Sequence, residues 1–166
     1  MSSHLSDDFF AMNKTSMKAC VQTLALAKSQ QDIPSALNIY HQDATLITVG
    51  LNVQAVGRPA IENQLTLFFT LFPDYQIDIT QIACNENWLL ATGVVQLTPT
   101  IAGHNQKTIK QSAALGFQFK DGLIYHEDFY LDFGQVCKQA NLSIEQMQTA
   151  IKQLANNMTP KETDNA

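Results

Sequence analysis

One short stretch holds most of the side chains able to do chemistry: Lys120-Asp121-Gly122-Leu123-Ile124-Tyr125-His126-Glu127-Asp128-Phe129-Tyr130-Leu131-Asp132. Asp121-Gly122 marks a tight turn, and the run after it reads as a strand threaded with a histidine, three acids and two tyrosines. These acids stand among Ile124, Phe129, Tyr130 and Leu131, which favour burial. A strand with one face on an interior cavity could therefore hold a carboxylate or imidazole against a ligand. Alternation puts His126, Asp128 and Tyr130 on one face and Tyr125, Glu127 and Phe129 on the other. With the first face inward, Asp128 can abstract a carbon-bound proton while His126 steadies the enolate or donates a proton. A shift of one residue exchanges the faces and makes Glu127 the inward carboxylate. Chemistry on a carbonyl also needs a donor for the developing oxygen charge, and Tyr130 and Tyr40 are the candidates.

The other reactive groups are scattered. Arg58 stands just before Pro59 at a helix start, where it could attract an acidic ligand or bond nearby carbonyls or Asp43. His41 reads as a surface residue near the end of a short helix, His104 as part of a Gly-containing loop, and His4 as part of a terminal tail. Four dispersed histidines give no compact metal motif, and His126-Glu127-Asp128 is too contiguous to converge from one regular strand. Ser112 has no triad partners, and the glycines form no phosphate-binding loop, so neither a metal nor a nucleotide cofactor is expected. Cys20, Cys84 and Cys137 are odd in number and widely spaced, as buried thiols of a reducing compartment would be, which predicts a cytoplasmic location.

Positioning such groups takes a scaffold, and 166 residues are enough for one domain with a core and a modest cavity. The net charge of -5 and the single arginine, Arg58, exclude a basic footprint for nucleic acid. No basic segment precedes an apolar run near Met1, and no apolar run approaches a membrane span, so neither a secretory leader nor membrane insertion is expected. Charged residues make up 15%, below the usual share of about 25%, while Phe68-Phe69, Leu71-Phe72 and Trp88-Leu89-Leu90 are strongly apolar. This imbalance predicts an apolar surface covered by a second copy, a homodimer.

Met17, Cys20, Val21, Leu24 and Ala27 are spaced for a helix over about 14–29. Asp32 caps a short second helix expected to bury Ala36, Leu37 and Tyr40 and to end near Gln42-Asp43. Residues 44–49 and 53–56 are extended, and Pro59 opens a third helix whose face is Ile61, Leu65, Phe68, Phe69 and Phe72. From Tyr75 the period becomes two, predicting strands to about 85, over 88–98 with Gly93 as a possible bulge, over 108–119, and through the opening motif to Asp132. A short helix is expected around 135–140, and Ser143 with Gln146 forms a capping box before a final helix bearing Met147, Ala150, Ile151 and Leu154. The expected divisions are a flexible lead-in over 1–13, a domain over 14–140, a C-terminal helix over 141–156 and a flexible tail over 157–166. Helices followed by a long antiparallel meander predict an α+β fold.

The element order and several signatures resemble the NTF2-like superfamily and, within it, the SnoaL-like proteins related to polyketide cyclases. The signatures are Asp32 to Ala44, Val56-Gly57-Arg58-Pro59-Ala60-Ile61, Phe72-Pro73-Asp74, Phe117-Gln118-Phe119-Lys120-Asp121-Gly122-Leu123-Ile124, His126-Glu127-Asp128 and Tyr130, spread over about 14–140. The resemblance implies an NTF2-like cone, with N-terminal helices packed on a strongly curved, mostly antiparallel sheet. It also implies an aspartate acid/base late in the final strands, matched by Asp128, helped by a histidine on the preceding strand. Ala114 and Leu115 stand where that histidine would be. The functional expectation is a protein that binds a small, largely apolar carbonyl compound for acid/base isomerisation, cyclisation or elimination, using Asp128 and His126 as catalytic groups and Tyr130, Tyr40, Glu127 and Arg58 as ligand contacts. The alternative is a noncatalytic binder or a structural or regulatory homodimer.

Overall fold

Asn13 starts the first helix, α1 (Lys14–Ser29), by accepting a hydrogen bond from the Ser16 N–H at 2.8 Å. In this computed structural model, which describes residues 12–104 and 107–158, the buried face of α1 is Met17, Val21, Leu24, Ala27 and Lys28. Asp32 caps α2 (Ile33–Leu37), again through a side-chain bond to an N–H three residues on. This helix ends at Leu37 and does not reach Tyr40, which instead opens β1 (Tyr40–Thr48). Over five residues a helical period cannot compete with a ladder: Tyr40 stands opposite Ile124, whose N–H donates to the Ile39 carbonyl at 3.0 Å.

A single 3₁₀ turn (Val49–Leu51) leads to β2 (Val53–Val56), and Gly57, with φ 83°, caps α3 (Arg58–Leu71). Pro59 occupies the first turn of α3, where its missing N–H is no loss. Then follow β3 (Gln76–Asn85), β4 (Trp88–Leu97), β5 (Ile109–Lys120) and β6 (Leu123–Leu131). Asp121 and Gly122 join the last two with φ of 53° and 75°, the left-handed pair that a two-residue hairpin needs. Asp132 caps α4 (Phe133–Gln139), accepting from the Gln135 N–H at 3.0 Å, so this helix begins two residues before the expected start at Gln135. The Ser143/Gln146 capping box forms in full ahead of α5 (Ile144–Met158), with bonds of 2.7 and 3.1 Å. Met147 is buried, with Ala150, Ile151 and Leu154 partly so. The expected lead-in over 1–13 and the tail over 157–166 lie largely outside the described residues.

The strands form one six-stranded sheet in the order β2-β1-β6-β5-β4-β3, antiparallel throughout except for the parallel β1–β6 pair. Three register irregularities bend it. Between Tyr40 and Thr45, β1 takes a longer path than β6 does from Ile124 to His126. Thr80 is the extra residue of β3, and Tyr125 is the extra residue of β6 against Gln118 and Phe119. The bulge expected in β4 at Gly93 therefore sits on the neighbouring strand. Gly93 serves as the close approach, since a Cβ there would lie 2.6 Å from the Asp78 carbonyl oxygen. The result is an α+β cone in which the sheet wraps around the buried faces of α1 and α3. Among the described residues, no helix is long and apolar enough to cross a membrane.

Candidate functional site

The apolar stripe of α1 ends in a charge. Lys28 follows Leu24 by four residues and Val21 by seven, so it faces the core, and it is only 7% exposed. On β6 the bulge at Tyr125 brings both Ile124 and Glu127 inward, and Glu127 is fully buried between Leu46 of β1 and Phe117 of β5. The Lys28 ammonium donates to both carboxylate oxygens of Glu127, at 2.7 and 2.8 Å, and the Tyr40 hydroxyl donates to Oε2. Taking two ions out of water costs several kcal/mol each, and charge-assisted bonds of this number are what offset it. Burial, then the negative charge of Glu127 and its hydrogen bond, holds the Tyr40 phenol well above its usual range, so Tyr40 stays a donor. Tyr75, equally buried and within the field of Glu127, is raised in the same way.

Beside the cluster is a cavity of about 20 Å³, room for one water molecule on the criterion of about 10–15 Å³. Phe68, Phe69 and Phe129 make its apolar wall, with the Phe68 ring edge-on to Tyr75 at 5.2 Å and to Phe129 at 6.2 Å. Four polar side chains break this wall: Lys28, Thr48, Gln64 and Tyr75. Gln64 donates through Nε2 to the Thr48 hydroxyl at 3.0 Å, which leaves its buried Oε1 without a partner among the described residues. The Tyr75 hydroxyl likewise bonds no described residue. Glu127 is not part of the wall but lies behind Lys28. An apolar pocket with a few convergent polar groups is the usual form of a small-molecule site.

His126 and Asp128 do share a face and pair at 2.9 Å, but that face is the outer one, and both remain partly exposed. Tyr130 is on the same side and half exposed. The inward expectation for this face is corrected because the helices cover the side from which Ile124, Glu127, Phe129 and Leu131 project, and successive residues cannot both point there. Tyr40 and Glu127 come together in the interior. Arg58 spends its guanidinium on the Tyr40 carbonyl oxygen, at 2.9 and 2.7 Å, and so anchors the strand that bears Tyr40. His41 is buried where a surface position was expected: its ring meets Tyr125 edge-on at 5.5 Å and stands 3.5 Å from Asp121 and 3.8 Å from Asp43. His104 sits 3.1 Å from the Gln146 amide at the start of α5, and His4 lies outside the described residues. The cysteines are free, and burial pushes the Cys20 thiol up to about 11.

Lys28, Thr48, Gln64 and Tyr75 were missed from sequence. Only Lys28 carried a signal, as a lysine in register with an otherwise apolar helical stripe.

Residues 21–127 match the model of the SnoaL-like domain. No curated protein matches the chain. Among solved structures, a polyketide cyclase candidate of Xanthomonas campestris pv. campestris superposes with a TM-score of 0.70 at 20% identity, over 78% of this chain and 99% of that one. An NTF2-like protein of unknown function from Burkholderia pseudomallei gives 0.68 at 13% identity, over 77% and 98%. A candidate SnoaL-like polyketide cyclase of Shewanella denitrificans gives 0.65 at 12%, over 78% and 98%. At these identities the likeness is one of fold.

Proposed function

The chain belongs to the SnoaL-like domain family, and we propose that it binds a small, largely apolar carbonyl compound inside the cone. The observation that carries this reading is the buried Lys28–Glu127–Tyr40 cluster beside an aromatic cavity lined by Tyr75 and by Gln64, whose buried carbonyl has no partner among the described residues. Unpaired buried polar atoms cost about 1–3 kcal/mol each, a cost that a ligand oxygen or hydroxyl removes on binding. Phe68 and Phe69 must turn to admit anything larger than water. Lys28 and Tyr75 are donors suited to a carbonyl oxygen, so the geometry favours recognition and polarisation of a carbonyl. No carboxylate lines this wall among the described residues, which weighs against isomerisation or elimination by a wall base.

Acetophenone, with ethylbenzene as the carbonyl-free control, tests the reading by protein NMR. Acetophenone should shift the signals of Phe68, Phe69, Tyr75 and Phe129, and Tyr75→Phe should weaken its binding. Equal affinity for the two compounds, or shifts confined to Trp88, Leu90 and Tyr130, would reject it.

A second reading concerns the outer sheet face. Trp88, Leu90 and Tyr130 there are 43%, 51% and 48% exposed, and Val94 adjoins them. Apolar side chains grouped in this way support a homodimer formed through the sheet. The His126–Asp128 pair, on that face beside Gly116, would then serve subunit contact rather than turnover. The free thiols support a cytoplasmic location.

A further inference from the structure

We propose that Lys28 forms an imine with the carbonyl compound that enters the aromatic cavity, with Glu127 as the carboxylate that takes and returns its proton. This rests on the pocket reading above and adds a covalent step to it. Lys28 is the one amine-bearing side chain in the cavity wall among the described residues, and its Nζ is held 2.7 and 2.8 Å from the two oxygens of Glu127. That order, lysine in the wall and carboxylate behind it, differs from a wall base that would take a proton from substrate carbon directly. A desolvated lysine with an adjacent proton acceptor is the arrangement in which an amine serves as nucleophile. Tyr40, donating to the same carboxylate, keeps it oriented when Lys28 moves toward a ligand.

The Lys28 ammonium passes one proton to Glu127, and the freed nitrogen lone pair forms a bond to the carbonyl carbon. The carbon–oxygen π electrons move to oxygen, which takes a second proton from nitrogen and gives a carbinolamine. Tyr75, whose hydroxyl bonds no other described residue, lines the wall and would donate a hydrogen bond to that oxygen. Nitrogen then forms the double bond as the carbon–oxygen bond breaks, and Glu127 returns its proton to the departing hydroxyl, which leaves as water. Ammonium and carbonyl have become iminium and water. Glu127 is again a carboxylate, now facing the iminium, so the buried charges at the end are those present at the start. No oxidant or further reactant is needed.

The experiment treats the full chain with benzaldehyde and cyanoborohydride, which fixes an imine as a stable secondary amine, and maps adducts by peptide mass. Lys28 should label before exposed lysines such as Lys18 and Lys110, with one adduct per chain at early times. Lys28→Arg, which keeps the charge, should lose that adduct. Glu127→Gln should slow it about a hundredfold, the scale of an assisting acid/base group, with benzaldehyde affinity retained. A purely structural role for the pair would change stability but not this rate at equal binding. Benzaldehyde binding seen by NMR without preferred labelling of Lys28 in the unmodified chain would overturn the imine and leave the pocket standing. Absence of binding would overturn both.

Discussion

Glu127 and Asp128 are neighbours in the chain, yet the first is fully buried against Lys28 and Tyr40 while the second pairs with His126 on the outer face of the sheet. Two carboxylates one peptide apart thus work in different media. The inner one is fixed by three donated hydrogen bonds; the outer one is in partial contact with solvent, where such pairs contribute about 0–1 kcal/mol.

The inner pair should be costly to break from one side and cheap to replace from both. Lys28→Met leaves Glu127 buried with one donor group and should lower unfolding free energy by about 3–5 kcal/mol in a urea titration. The double variant Lys28→Met/Glu127→Leu should recover most of that loss. If the double variant is as unstable as the single one, the pair is not what sets the cost.

The two buried tyrosines should respond in opposite ways. Tyr40→Phe removes a bond to a charged oxygen and should cost about 1.5–3 kcal/mol. Tyr75→Phe removes a hydroxyl with no described partner and should be neutral or stabilising. The same denaturation series reads both, and equal losses would contradict the assignment of the unpaired hydroxyl.

Alkaline stability follows from the raised groups. Burial lifts Cys20 from 9.0 to about 11 and lifts Tyr40 and Tyr75 above the usual phenol value of 10.0. The folded state therefore holds protons that the unfolded chain releases. The stability contributed by these three groups is fully present below pH 9.0, falls as pH rises toward about 11 through Cys20, and falls further above 10.0 through the tyrosines. Thermal melts across this range should show the decline, and Cys20→Ala should flatten its first part. A profile unchanged by that substitution would remove Cys20 from the account.

The outer face gives a prediction about mass. Leu90→Lys puts a charge into the middle of the exposed apolar group and should halve the mass seen by light scattering, with the fold unchanged by circular dichroism. A wild-type chain that is already monomeric at micromolar concentration would end the dimer reading.

Local chemistry made much of the fold readable. The caps at Asp32, Asp132 and Ser143/Gln146, the left-handed Asp121-Gly122 turn, Pro59 in the opening turn of α3 and the period-two strands each depend on side chains within a few residues, so periodicity and turn chemistry locate them. Tyr40 was misplaced in a helix because its strand pairs with Ile124, far along the chain, and five residues of pattern cannot report such a partner.

The sequence by itself determined that β6 carries acids on both faces, that His126 and Asp128 share one of them, and that the chain belongs with α+β cones. Only the tertiary structure decided which face is inside. That choice depends on where α1 and α3 lie and on the extra residue Tyr125, since alternation fixes which residues face together but not toward what. Lys28 shows the same division: the helical period placed it in line with Val21 and Leu24, but the carboxylate that permits its burial is on a strand 99 residues away and is brought to it by folding alone.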